Sequence, residues 1–333
     1  VRIRFQDRGK GKIVDVLTEA LASMRTDRPA AVRVDGRAPW GLRLPPTAGA
    51  GFHVVLHGGC WLIPRLGAVP GEPVWLGPGD VAFLRTGPEQ VLADGPAAPA
   101  RPADPEYLRE DGLIGTYDLG GEGEPTSLLC GEYRLDRARP HPLVGQLPEL
   151  IHLRTGGGRH PQLTSAVELL RAELDGPRIG SGGIVPALID SLLLYILRAW
   201  MDERPSRSGG WAAALKDPAI APALAAMHAD PADSWTVESL AARAGLSRAA
   251  FAKRFNTMVG EPPLTYLTRW RMTTAARLLR ETDSPLAAVA ARTGYGSEFA
   301  FAKAFKREYG QAPGGYRRAH AAQVAAGSVR AAA

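Results

Sequence analysis

The feature that most constrains this chain is an internal repeat near its C-terminal end. Residues 236–245 (TVESLAARAG) and 285–294 (PLAAVAARTG) align at an offset of 49, so that Ala241, Ala242, Arg243 and Gly245 return as Ala290, Ala291, Arg292 and Gly294. One residue is inserted after the glycine, and the offset becomes 50 for Ser247/Ser297, Phe251/Phe301, Ala252/Ala302, Lys253/Lys303, Phe255/Phe305, Gly260/Gly310, Pro263/Pro313 and Tyr266/Tyr316. Two copies are too few to stack into a solenoid, so one motif is present twice.

Each copy spells the same local structure. Val237, Leu240, Ala241 and Ala244 fall at i, i+3, i+4 and i+7, one buried face of a short helix. Gly245 can take the left-handed conformation that ends such a helix. Ser247 then supplies the N-cap of a second helix, which buries Phe251, Phe255, Met258 and Val259. Helix, tight turn and capped helix make a helix-turn-helix, predicted at 236–259 and again at 285–309. The outward face of the second helix carries Arg248, Ala249, Ala252, Lys253 and Asn256 in the first copy. The second copy presents Glu298, Phe299, Ala302, Lys303 and Lys306. Small residues let a helix approach base edges, and the cations reach bases or phosphates. These ten residues are the expected contacts to double-stranded DNA.

The stretch 264–282 predicts a connecting helix of ~28 Å at 1.5 Å per residue, against ~34 Å for a turn of B-DNA. Met272, Ala275, Ala276 and Leu279 form its packing stripe, with Trp270 in the core. Arg269, Arg271, Arg277 and Arg280 are expected as phosphate contacts or solvated ends. Charge agrees with a polyanion partner. Of 40 basic and 34 acidic residues in the chain, 211–333 holds 16 and 9, so the net excess of +6 lies wholly in this last third.

The rest of the chain reads differently. At 333 residues and 45% apolar, it is long enough for two domains with buried cores. Short apolar runs at 52–56, 60–63, 74–76, 81–84 and 128–130 are strand-length and separated by Gly/Pro turns, which predicts an all-β barrel or sandwich. The segment 94–111 is a Pro/Ala loop. Helical spacing follows at 162–174 and at 184–201, the latter apolar around most of its circumference. The polar stretch 203–210 (ERPSRSGG) reads as a linker. A fragment 211–333 is therefore expected to fold alone. Two cysteines, Cys60 and Cys130, exclude a disulfide scaffold and a Cys-rich zinc module. No apolar run approaches the ~18–20 residues of a membrane span, and no apolar stretch follows the basic N-terminus as a secretion signal requires. The expectation is a cytoplasmic protein without a membrane partner.

At the residues of the repeat the chain resembles the DNA-binding domain of AraC/XylS-type transcriptional regulators. The similarity covers 235–318 and rests on TVESLAARAGLSRAAFAKRF, PLTYLTRWRMTTAARLL and VAARTGYGSEFAFAKAFKREYGQAPGGYR. FHVVLHGGCWL, LGPGDVAFLRTGPEQ and SLLCGEYRLD further resemble the cupin-like sensor domain of one subgroup. The resemblance implies an α+β multidomain protein, with an N-terminal cupin-like β-barrel plus helices and a C-terminal all-α double helix-turn-helix domain. The expected boundaries are 11–158 for the sensor, 159–204 for a helical dimerisation segment, 205–210 for a linker and 211–325 for the DNA-binding domain. It implies that 248–256 does most of the base reading, and that the partners are promoter DNA, a second copy of the chain and RNA polymerase. It implies sensor candidates His53, His57, Gln90, Cys60 and Cys130, for a small molecule held in the barrel or an oxidant. On a regular strand His53 and His57 would point to one face. Enzymatic cupins hold a metal on histidines. Gln90 stands where one of these is common and is a poor transition-metal ligand, so no metal, no cofactor and no catalytic residue is expected; His53, His57 and Glu89 are the alternative ligand set. The competing readings are a metal-dependent cupin enzyme tethered to DNA and a sequence-neutral architectural DNA binder.

Overall fold

Alternating apolar runs and Gly/Pro turns fold the N-terminal half into strands, and the repeat folds into helices. The computed structural model describes residues 15–47, 49–66, 69–104, 114–135, 141–203 and 210–331. Residues 11–14 of the expected sensor, 105–111 of the Pro/Ala loop and 205–209 of the expected linker lie outside the described residues. In chain order the elements are α1 (Val16–Met24), β1 (Ala30–Arg37), β2 (Gly41–Leu44), β3 (Ala50–His57), β4 (Cys60–Leu66), β5 (Val69–Pro70), β6 (Val74–Leu76), β7 (Val81–Leu84), β8 (Gln90–Ala93), β9 (Arg101–Pro102), β10 (Gly115–Asp118), β11 (Pro125–Tyr133), α2 (Pro142–Gln146) and β12 (Leu150–Leu153). There follow α3 (Pro161–Asp175), α4 (Ser181–Glu203), α5 (Trp211–Ala214), α6 (Ile220–Ala229), α7 (Val237–Arg243), α8 (Arg248–Val259), α9 (Pro263–Glu281), α10 (Leu286–Arg292), α11 (Glu298–Tyr309) and α12 (Pro313–Ala331). The chain divides into two compact units. One is Arg25–Asp136, Leu147–Pro205 and Gln323–Ala333, and the other is Val1–Met24, Arg137–Gln146 and Ser206–Ala322.

The β-rich unit contains two six-stranded sheets. The first runs β10-β1-β11-β3-β7-β12, and the second runs β5-β4-β8-β2-β9 with β6 on β4. Inward side chains of both sheets, among them Val34, Leu42, Val55, Leu62, Leu92 and Leu128, share one core. Cys60 and Cys130 belong to that core. Helices α3 and α4 pack together, α3 against β3 and α4 against β12. Tyr133 hydroxyl donates to the Ile189 carbonyl at 2.8 Å, which fixes α4 to β11. By length and composition alone, α4 is apolar enough to cross a membrane, although Asp190 and Arg198 interrupt its apolar run. Half of that apolar stretch is buried within the fold, as in a core helix.

The helical unit is wider than the repeat predicts. It takes in α1 and α2, which the expected boundaries assign to the sensor. The apolar face of α1, with Val16, Leu17, Ala20, Leu21 and Met24, is buried, and the helix lies against α6 and α9. Helix α2 lies against α5. Beneath them sits an aromatic nest. Trp270 stacks on His228 with ring centres 3.7 Å apart, and His228 Nε2 lies 2.6 Å from the Tyr266 hydroxyl. The ring of His141 stands edge-on to Trp211 at 4.7 Å.

This nest predicts a pH dependence. Burial pulls His228 down to about 3, and burial followed by the nearby Arg269 and His228 pulls His141 well below its ordinary value. Both imidazoles are neutral in the folded protein, whereas the unfolded chain takes up their protons below about pH 6.5. Stability is therefore full above about pH 6.5 and falls as the pH drops toward the folded-state values, by about 1.4 kcal/mol per unit for each histidine. Urea unfolding of the helical unit is expected to show a lower midpoint at about pH 5.5 than at about pH 7.5. Equal midpoints would contradict the buried neutral pair.

Candidate nucleic-acid interface and sensor core

The two copies of the motif fold as the sequence predicts. Thr236 caps α7 in a reciprocal pair with Ser239, and Ser247 and Ser297 cap α8 and α11 by accepting from the amides of Ala250 and Ala300. Gly245 and Gly294 turn the chain with φ of 65° and 79°, a conformation that favours glycine. Phe251, Phe255 and Val259 are buried beneath α8, and Phe301, Ala304 and Phe305 beneath α11. The opposite faces are open. Arg248, Ala249, Lys253 and Asn256 are exposed and Ala252 is half-buried. In the second copy Glu298, Phe299, Lys303 and Lys306 are exposed, with Ala302 half-buried. Each set of five thus lies on one accessible helix face. Two positions extend these faces and escaped the sequence reading. Thr257 and Arg307 are exposed one turn beyond Lys253 and Lys303, and their shared offset of 50 was the signal that could have found them.

The arginines of α9 correct an expectation. Arg269 pairs with Glu261, and Arg271 donates to the carbonyls of Pro231 at 2.7 Å and Asp233 at 2.9 Å. Arg277 pairs with Glu19 at 3.1 Å, and Arg280 donates to the Tyr316 hydroxyl at 2.6 Å and the Ser23 carbonyl at 3.1 Å. These four guanidinium groups hold the helical unit together instead of waiting for phosphate. Their sequence positions at helical spacing are the same in either role. The partners lie as far away as Glu19 and Ser23, which is why spacing could not reveal them.

The sensor candidates are placed in two different environments. His53 is 1% exposed, and its Nε2 donates to Gln90 Oε1 at 3.0 Å. Burial pulls His53 down to about 4, so it is neutral, and its Nδ1 has no partner among the described residues. His57 is on the other face of β3, contrary to the same-face expectation. A register shift pairs Leu128 with Val55 but Ser127 with His57, and this bulge turns the strand over. His57 Nε2 meets Asp175 Oδ2 at 2.7 Å outside the core. Glu89 is on the surface, paired with Arg65 at 3.1 Å. The three residues of the alternative ligand set therefore do not converge. The remaining buried pair, one histidine and one carboxamide, does not fit a transition-metal site.

Both thiols are in the core, Cys60 at 0% and Cys130 at 1% exposure. Burial pushes Cys60 up to about 12, and burial together with the neighbouring Cys60 pushes Cys130 well above its ordinary value. Protonated and shielded thiols are poor nucleophiles toward oxidants. Outside the core, a groove of about 570 Å³ is lined by Arg33, Asp35, Arg37, His57, Asp118 and Ser127. Arg33 ties this groove to the end of α3, donating to Asp175 Oδ1 and to the Leu174 carbonyl, both at 2.9 Å.

Comparison with known proteins matches the chain to two families, and the first match takes in α1 and α2, as the expected sensor boundaries do. Residues 15–202 match a family described as a cupin, and residues 240–319 match a helix-turn-helix domain family. A putative AraC-like transcription regulator of Streptomyces antibioticus is 36% identical over 308 residues, covering 91% of this chain and 97% of that protein. The HTH-type transcriptional regulator MtrA of Neisseria gonorrhoeae is 32% identical over 274 residues, covering 80% of this chain and 85% of that protein. Among solved structures, the DNA-binding domain of AdpA, a global transcriptional factor in complex with a target DNA, is 37% identical with a TM-score of 0.31 and covers 32% of this chain and 96% of that one.

Proposed function

This chain belongs to the AraC-type transcription regulators that carry a cupin-family domain ahead of the helix-turn-helix domain, and from that premise we propose that it reads specific promoter sequences under the control of a small molecule sensed by its N-terminal unit. The observation that carries the reading is the duplicated open face: two capped helices, each burying phenylalanines behind it and presenting small and cationic residues in front. A regulator is favoured over a cupin enzyme because the relatives are named as regulators and because His53 is held by Gln90 away from His57 and Glu89. A small-molecule effector is favoured over an oxidant because both thiols are buried and protonated. We place the protein in the cytoplasm, with RNA polymerase as a further partner.

We assign dimerisation to α3 and α4. The support is exposed apolar surface, with Leu169 55% and Ile184 44% exposed, on helices whose other faces fill the core. Two linked copies gain affinity for paired sites through effective concentration.

The reading predicts that Lys253→Ala weakens binding to a selected duplex by about 1–3 kcal/mol if Lys253 contacts guanine. Lys253 is exposed, so the variant is expected to fold normally. Fluorescence anisotropy against selected and random duplexes checks it. A larger loss on the selected duplex supports base reading, and an unchanged affinity on both would remove α8 from the interface.

A further inference from the structure

The two recognition faces are built on one plan but carry different chemistry in their first turns. Where α8 begins with Arg248 and Ala249, α11 begins with Glu298 and Phe299. Phe299 is 81% exposed, although the same helix buries Phe301 and Phe305 completely. Packing therefore uses two phenylalanines of the second copy and leaves the third in solvent. Its neighbours Ala300 and Ala302 are too small to shield it, which leaves the ring clear to touch a flat partner. Glu298 is exposed as well and makes no ion pair among the described residues. A carboxylate here is repelled by phosphate, so on a DNA-facing turn it needs an amino donor on a base edge. In the major groove the cytosine N4 amine suits a carboxylate, and the thymine C5-methyl suits an apolar side chain. Lys303 and Lys306 follow one and two turns later and supply positive charge away from the helix start.

We propose that α11 specifies pyrimidines: Phe299 packs on the C5-methyl of a thymine, and Glu298 accepts a hydrogen bond from the N4 amine of a cytosine at a neighbouring base pair. The first copy, with Arg248, Lys253 and Asn256, carries donors suited to purine acceptors. The two half-sites therefore differ in base character although the helices are duplicates. The proposal rests on the DNA-reading role of the second copy given above.

The test uses the full-length protein and a duplex selected by it from randomised DNA. Each thymine of the site is replaced in turn by deoxyuridine, which removes only the methyl group. The wild type is expected to lose roughly fourfold in affinity at one thymine, the worth of one buried methyl. Phe299→Ala should bind the thymine and deoxyuridine duplexes equally, while Phe299→Leu should keep part of the difference. Glu298→Gln should bind duplexes with another base in place of the specified cytosine nearly as well as the original. Phe299 is exposed, and a thermal melt matching the wild type excludes a folding defect. A wild type indifferent to every thymine replacement overturns the proposal and leaves sequence-specific binding standing, as does a Phe299→Ala variant that keeps the full thymine preference. A wild type that selects no site at all overturns both.

Discussion

Trp211→Ala is expected to destabilise the helical unit by about 3–5 kcal/mol. The side chain is 0% exposed and opens α5. Its indole N–H donates to the Tyr266 hydroxyl at 3.3 Å, and its backbone N–H donates to Gln146 Oε1 at 2.6 Å. Truncation leaves a cavity between His141 and Tyr266 and removes a donor from a buried hydroxyl. A domain of this size has a total stability of about 5–15 kcal/mol, so the loss is a large fraction of it. Urea unfolding followed by the fluorescence of the remaining tryptophans measures it, and a loss under about 1 kcal/mol would contradict the packing described here. The same geometry bears on the fragment 211–333. That fragment keeps Trp211 and loses α1, His141 and Gln146, so it is expected to melt below the helical unit of the full chain.

Replacing Leu169 and Ile184 together by glutamate is expected to yield a folded monomer whose affinity for a paired site falls by about 10²–10⁴-fold, the range lost when two linked sites act singly. Both side chains are substantially exposed, so charges there leave the core of the β-rich unit intact. Position matters. Leu192, on the same helix, is 0% exposed, and a charge there would unfold the unit instead of separating copies. Sedimentation of wild type and variant decides the matter. A wild type that is monomeric at micromolar concentration, or a variant that remains dimeric, would contradict the assignment of α3 and α4.

The helical half was readable because the motif is local. Caps at Ser247 and Ser297, turns at Gly245 and Gly294, and apolar spacing at Phe251/Phe255 and Phe301/Phe305 all act within a few residues of one another. The strands at β3, β4, β6, β7 and β11 were legible from apolar runs between turn residues. What spacing could not supply was decided by contacts distant in sequence. Helix α1 is apolar on one face, but its membership of the helical unit depends on α6 and α9, more than 190 residues later. His57 leaves the core because of a single bulge opposite Ser127, and alternation alone places it inside. The arginines of α9 carry the spacing of a phosphate-binding face and are occupied by Glu19, Ser23, Pro231 and Asp233. In each case the local pattern suited two outcomes, and a partner from another part of the chain selected one.

Sequence-specific DNA reading is the central claim, and the affinity ratio between a selected and a random duplex at fixed salt tests it most directly. The ten residues on the open faces of α8 and α11, eight of them exposed and two half-buried, include small, apolar and acidic side chains that phosphate binding does not require. The full chain is therefore predicted to prefer its selected duplex by about 10³-fold or more. A ratio near one, with affinity falling steeply and equally with salt on both duplexes, would show attraction to phosphate alone and contradict it.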